Sequence, residues 1–161
     1  MDMLRQQINT PLGLLELQAN ARGLVAIRFE EEAGPPCATP AGEQAAVRWL
    51  RLAEQELQEY FASQRRSFTF PLAAQGTPFQ QAVWQAVAAI GYGQTAQYGE
   101  IARALGRPQA ARAVGAAIGS NPLPFVIPCH RVIGANGQLT GYRGGLPAKR
   151  FLLQLEGVLA A

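Results

Sequence analysis

Versatile chemical side chains are scarce in this chain. Its 161 residues hold two cysteines, Cys37 and Cys129, and one histidine, His130. Two cysteines make no disulfide framework. Two Cys and one His, far apart except for the Cys129-His130 pair, make a poor tetrahedral zinc site. No metal and no cofactor are therefore expected. No apolar run nears the roughly 20 residues that a membrane span needs. The start, Met1-Asp2-Met3-Leu4-Arg5, lacks the apolar stretch of a secretory leader. The expected compartment is the cytoplasm, whose reducing conditions suit a free thiol. Acids are also scarce where they matter most: downstream of His130 the only one is Glu156.

What is present argues for a folded protein with a basic second half. Apolar side chains make up 48% of the residues, enough to exclude a disordered chain. Residues 1–74 carry seven Arg against nine acids, a net of −2. Residues 75–161 carry six Arg and Lys149 against Glu100 and Glu156, a net of +5. Such a half suits a polyanion, because Arg and Lys neutralise phosphates and release counterions. A solvated basic face has the same composition.

In chain order, Met3 to Asn9, Leu14 to Ala19 and Leu24 to Phe29 read as strands. Thr10-Pro11-Leu12-Gly13 and Asn20-Ala21-Arg22-Gly23 turn between them, giving an antiparallel meander. Glu30 to Pro40 is a loop, in which Cys37 is an incidental cysteine. Thr39-Pro40 opens a helix with Pro at its first position. Val47, Leu50, Leu57, Tyr60 and Phe61 share one face of that helix. Ser67 to Leu72 is a further short strand, and Gln75-Gly76 is the expected boundary between domains 1–75 and 76–161.

The second domain reads as mostly helical. Thr77-Pro78-Phe79-Gln80 is a capping box with Pro at its first helical position. Its helix presents Phe79, Val83, Val87 and Ile90, with Trp84 alongside. Short helices over Tyr98 to Leu105 and Gln109 to Ile118 flank Gly106-Arg107-Pro108, in the manner of a helix-turn-helix. The second of these has almost no side-chain bulk: Ala110, Ala111, Ala113, Gly115, Ala116 and Ala117. Small residues permit either tight helix packing or close approach to a nucleic acid. Ala135-Asn136-Gly137-Gln138 is a hairpin-type turn. Gly141 to Gly145 is a flexible loop, and a last helix runs from Pro147 to Glu156.

The chemistry concentrates in Ile127-Pro128-Cys129-His130-Arg131-Val132. A thiol is a strong nucleophile only as thiolate, and a neighbouring base or cation promotes that form. This segment resembles the active-site motif of the O6-alkylguanine-DNA alkyltransferases, the methylated-DNA–protein-cysteine methyltransferases. The resemblance runs from about Gly76 to Gly157. It takes in Tyr98-Gly99-Glu100-Ile101-Ala102, Ala111-Arg112-Ala113-Val114-Gly115, Asn121-Pro122 and Gly141-Tyr142-Arg143-Gly144-Gly145. Over the first 75 residues it is loose.

The resemblance implies an α/β N-terminal domain of RNase H-like topology. A mostly α C-terminal domain with a winged helix-turn-helix-like motif would follow. It implies repair of O6-alkylguanine in double-stranded DNA, with O4-alkylthymine a second candidate. Helix residues Ala113, Gly115 and Ala116 would lie in the minor groove, and Arg112 would fill the gap left by a flipped base. Asn121 would hold the turn beside that helix, and Arg131 would belong to the DNA-binding set. Tyr98 would donate to the base ring and push the neighbouring phosphate, and Lys149 would lie near the site. Val132 and Arg143 would read the base edge through backbone N–H groups. Pro124, Ile118, Tyr142, Arg143 and Gly144 would shape the alkyl pocket. Glu156 would complete a Cys–water–His–Glu relay. Without the resemblance Glu156 reads as a helix-end surface residue and Lys149 as solvated.

Adjacent residues on an extended strand point to opposite faces. His130 is thus expected to reach Cys129 through a water. The product would be a thioether, with no acyl carbon for water to attack, so one transfer per molecule is expected. A monomer is the default assembly. The alternatives are a lesion-binding relative without transfer, a Cys–His–Glu hydrolase and a helix-turn-helix regulator.

Overall fold

A computed structural model describes residues 3–160. The leader expectation at Met1 and Asp2 falls outside them. The chain divides into two compact units, Met1–Gln75 and Gly76–Ala161. Among the described residues no helix is long and apolar enough to cross a membrane.

The first unit is an antiparallel meander packed on one helix. Strands β1 (Leu4–Thr10), β2 (Gly13–Asn20) and β3 (Gly23–Phe29) pair in sequence order, with Ile8 opposite Leu15 and Leu15 opposite Phe29. Helix α1 (Ala45–Phe61) buries Val47, Leu50, Leu57, Tyr60 and Phe61, and it packs against all three strands. On β2 the in-between residues Glu16 and Gln18 are also buried. The Glu16 carboxylate accepts from Arg5, Gln18 and the Gly34 N–H, so it ties the loop after β3 to the sheet. Cys37 lies in that loop as a free, half-buried thiol.

Two sequence expectations fail here for identifiable reasons. Helix α1 begins at Ala45, not at Pro40. Gly42, at φ +110°, breaks the turn that Pro40 would have opened. The expected strand at Ser67 to Leu72 shrinks to a single parallel bridge between Leu24 and Leu72. The N–H and hydroxyl of Thr69 are turned instead to the buried Glu56 carboxylate on α1.

The second unit contains α2 (Pro78–Ala88), α3 (Tyr98–Ala104), α4 (Ala111–Gly119) and α5 (Leu146–Leu155). The capping box at the head of α2 is formed: Gln80 N–H donates to Thr77 Oγ1 at 3.1 Å, and Thr77 N–H donates to Gln80 Oε1 at 2.9 Å. Helix α2 supports α4, because Trp84 Nε1 donates to the Ala117 carbonyl at 2.8 Å. Phe79 is only half-buried, with the Arg107 guanidinium 5.5 Å from its ring centre. Gly106, at φ +71°, separates α3 from α4.

The turn at Ala135 to Gln138 is present, with Gly137 at φ +74°. It does not close a hairpin. The residues before it, β5 (Val132–Ile133), pair in parallel with β4 (Ala96–Gln97).

Thr77→Ala removes the oxygen that receives the Gln80 N–H. It should lower unfolding free energy by about 1 kcal/mol in urea titrations. Thr77→Ser should stay close to the parent.

Candidate active site

Cys129, His130 and Arg131 do not lie on an extended strand. They form one turn of 3-10 helix, Cys129–Arg131, entered from Pro128. The Cys129 N–H donates to the Ile127 carbonyl and the Arg131 N–H to the Pro128 carbonyl. All three side chains are buried. The turn sends His130 and Arg131 to one common partner, the buried carboxylate of Glu156 at the C-cap of α5.

The geometry settles the protonation roles. Arg131 Nε donates to Glu156 Oε1 at 2.8 Å, and Nη2 donates to Oε2 at 3.0 Å. An arginine fork of this kind binds an ionised carboxylate, which can only accept. His130 Nε2, 2.7 Å from Glu156 Oε2, must therefore carry the proton of that bond. Burial holds the His130 pKa below its ordinary 6.5, outweighing the pull of Glu156. The contact is thus a hydrogen bond from a neutral imidazole, and Nδ1 keeps its lone pair. Nδ1 is buried and has no hydrogen-bond partner among the described residues. Cys129 therefore makes no direct bond to it.

Burial pushes the Cys129 thiol above its ordinary 9.0. A bond with the Asn121 side chain and the charges of Arg143 and Lys149 oppose that rise. The resting sulfur is a protonated thiol, so its reaction needs a base. Asn121 also locks the approach to the site: its Nδ2 donates to the Ile127 carbonyl and its Oδ1 accepts the Leu123 N–H. Lys149 is fully buried, and it donates from Nζ to the Val132 carbonyl at 2.7 Å and the Thr140 carbonyl at 3.0 Å. Neither Lys149 nor Glu156 is the solvated residue that composition alone would allow.

A cleft of about 460 Å³ is lined by Tyr98, Gly115, Gly119, Thr140, Gly141, Tyr142 and Arg143. Its apolar walls leave room for a flat ligand. Arg143 Nη1 donates to the Asn121 carbonyl, tying the Gly141–Gly145 loop to the end of α4. Of the expected pocket walls, Tyr142 and Arg143 line this cleft. Ile118, Pro124 and Val132 are buried in the unit and do not line it, and Gly144 is half-buried and does not either. Ile118 is turned inward with Val114 and Ala117 on the buried face of α4. The opposite face exposes Arg112, Ala113 and Ala116. Gly115, expected on that exposed face, instead faces Tyr98: a Cβ there would lie 3.8 Å from the ring.

Comparison with known proteins agrees with this geometry. The family model for the 6-O-methylguanine DNA methyltransferase DNA binding domain matches residues 78–158. The model for the ribonuclease-like domain of the same enzymes matches residues 3–74. The chain belongs to the 6-O-methylguanine DNA methyltransferase family. A methylated-DNA–protein-cysteine methyltransferase of Methanosarcina acetivorans is 44% identical over 151 residues, covering 92% of this chain and 94% of the relative. The constitutive one of Bacillus subtilis is 54% identical over 110 residues, 68% of this chain and 67% of its own. The crystal structure of Mycobacterium tuberculosis OGT in complex with DNA superposes with a TM-score of 0.83 at 44% identity. It covers 94% of this chain and 91% of that one.

A further sequence expectation needs correcting. Arg131 cannot serve a phosphate: it is 6% exposed and committed to Glu156, the Ile90 carbonyl and the face of Tyr92. Burial in the interior drives it onto the buried carboxylate of Glu156. Two contributors were missed. Ile90 matters through its carbonyl, which no side-chain pattern reveals. Thr140 reaches Tyr98 with its hydroxyl and was visible only as an ordinary polar residue before the glycine loop.

Arg131→Met strands a buried carboxylate and should destabilise the protein by about 3–5 kcal/mol in urea. The exposed Arg112→Ala should change stability by no more than about 0.5 kcal/mol. The depressed His130 pKa also gives a pH signature. Below 6.5 the unfolded chain takes up a proton that the folded one refuses, so stability is full above 6.5 and falls as pH drops. Urea midpoints compared at about pH 7.5 and 5.5 should show this loss, and His130→Gln should lack that component.

Proposed function

We propose that this chain reverses alkylation damage in DNA directly, moving the alkyl group from guanine O6 to Sγ of Cys129. The observation that carries the reading is the 2.7 Å bond from His130 Nε2 to Glu156. It leaves Nδ1 as a lone-pair base in the same buried turn as a protonated thiol. Through one bridging water Nδ1 takes the thiol proton. The thiolate attacks the alkyl carbon, the S–C bond forms and the C–O6 bond breaks. The electron pair leaves on guanine, which regains in total the one proton the thiol gave up. The charges of Arg143 and Lys149 favour the thiolate, and Tyr98 donates a hydrogen bond to the base ring as negative charge collects there.

A base inside a duplex cannot reach a buried thiol, and flipping it out costs a few kcal/mol. The exposed face of α4 suits this step. Ala113 and Ala116 let the helix lie deep in a minor groove, and Arg112 fills the gap. Gly115, beneath Tyr98, serves the cleft. Asn121 holds the end of this helix beside the thiol. The Val132 N–H, expected to read the base edge, is turned instead to the Cys129 carbonyl at the end of the reactive turn. Arg143 presents its backbone N–H to the base edge, and Tyr142 and Arg143 bound the alkyl group. The M. tuberculosis relative solved with DNA supports double-stranded DNA as the partner. One chain carries every residue of this site, which supports a monomer. A free thiol nucleophile needs a reducing compartment, which supports a cytoplasmic protein.

The test is intact-protein mass after incubation with a duplex containing O6-methylguanine. The expected result is a gain of one methyl on Cys129 that stops at one equivalent. Binding with no mass change would overturn transfer in favour of lesion binding, and turnover past one equivalent would overturn its irreversibility. Glu156→Gln should slow transfer about a hundredfold, because it removes the charge and leaves one acceptor oxygen where His130 and Arg131 now share two. Arg112→Ala should impair repair of the duplex more than reaction with the free modified base. Equal losses would remove it from the base-flipping step.

A further inference from the structure

Thr140 and Tyr98 face the same cleft, and their hydroxyl oxygens lie 3.1 Å apart. Thr140 is also held from behind. Its carbonyl accepts from Lys149 Nζ at 3.0 Å, and the same ammonium donates to the Val132 carbonyl next to the reactive turn. A phenol has one proton and can direct it to one acceptor. If Tyr98 donated to Thr140, it would have none for a ligand. When Thr140 donates to the phenol oxygen, the Tyr98 proton turns into the cleft. Donation to a hydroxyl oxygen also polarises its O–H, making that group a stronger donor to a developing anion.

We propose that Thr140 is a positioning residue for Tyr98. It donates to the phenol oxygen, so that the Tyr98 proton is presented to the guanine ring as the C–O6 bond breaks. The inference rests on the alkyl-transfer reading above. Lys149 serves it by fixing the backbone of Thr140. The benefit arises in the transition state, where charge builds on the base, and not in the binding of DNA.

The experiment measures single-turnover methyl transfer and duplex affinity, using DNA that carries O6-methylguanine. The proteins are the parent, Thr140→Val, Thr140→Ser, Tyr98→Phe and the Thr140→Val/Tyr98→Phe double variant. Thr140→Val keeps the shape and loses the hydroxyl, and it should slow transfer about fivefold with duplex affinity unchanged. Thr140→Ser should restore the rate to within about twofold. In the Tyr98→Phe background, Thr140→Val should add less than about twofold, because both act through one hydroxyl. A full fivefold loss in that background overturns the inference, as does an unchanged rate in Thr140→Val beside a slowed Tyr98→Phe. An unchanged rate in Tyr98→Phe overturns this inference and the leaving-group role of Tyr98. Methylation of Cys129 in the parent separately tests the transfer itself. Should Thr140→Val fail to fold, the pair Thr140→Ala and Thr140→Ser carries the same comparison.

Discussion

The buried carboxylate of Glu156 takes hydrogen bonds from two directions, and the rest of the site follows from that sharing. Arg131 occupies both oxygens with its fork, which keeps the group ionised inside the unit. An ionised acceptor leaves His130 one choice of tautomer, with the proton on Nε2. The free lone pair then sits on Nδ1. Neither an arginine nor a glutamate would be stable alone at this depth. Together they convert an otherwise ambiguous imidazole into a base of defined direction.

The resting thiol is quiet for the same reason that the site is buried. Desolvation favours the neutral sulfur, while Asn121, Arg143 and Lys149 reduce the penalty of the anion without abolishing it. A thiolate exposed at all times would react with many electrophiles. In the proposed reaction the anion forms only where a base and an alkyl carbon meet. The second unit therefore has two sides of distinct character. The outer face of α4 is lean and bears one exposed arginine, whereas its inner face packs Val114, Ala117 and Ile118 into the core and the Cys129–Arg131 turn holds the titratable groups.

Features encoded by neighbouring residues were legible in the sequence. The capping box at Thr77 and Gln80, the meander turns and the small-residue character of α4 depend on spacing of a few positions. The Cys129-His130 pair was legible through its rarity and its resemblance to a family motif. Features that depend on distant partners were not. Arg131 was expected in the DNA-binding set because nothing in its neighbourhood reveals a partner 25 residues away. The strand expected at Ser67 to Leu72 failed because Glu56, 13 residues earlier than Thr69, captured that residue's donors. The extended reading of Cys129 failed because carbonyls at Ile127 and Pro128 curl the backbone into a turn. The His130–Glu156 contact does not depend on strand alternation, and it is present in the turn.

The span of the His130–Glu156 bond has a consequence for how the protein comes to life. The two residues are 26 positions apart, and Arg131 reaches back 41 positions to Ile90. None of these links can form in a local segment. They require α5, the last helix of the unit, to dock. During synthesis Cys129 and His130 are made before Glu156, so a nascent chain carries the proposed nucleophile and base without the carboxylate that orients the imidazole. Under the proposed mechanism, competence to react and completion of folding arrive as one event. A molecule limited to the single transfer proposed for it is thereby kept from wasting that reaction before it is whole.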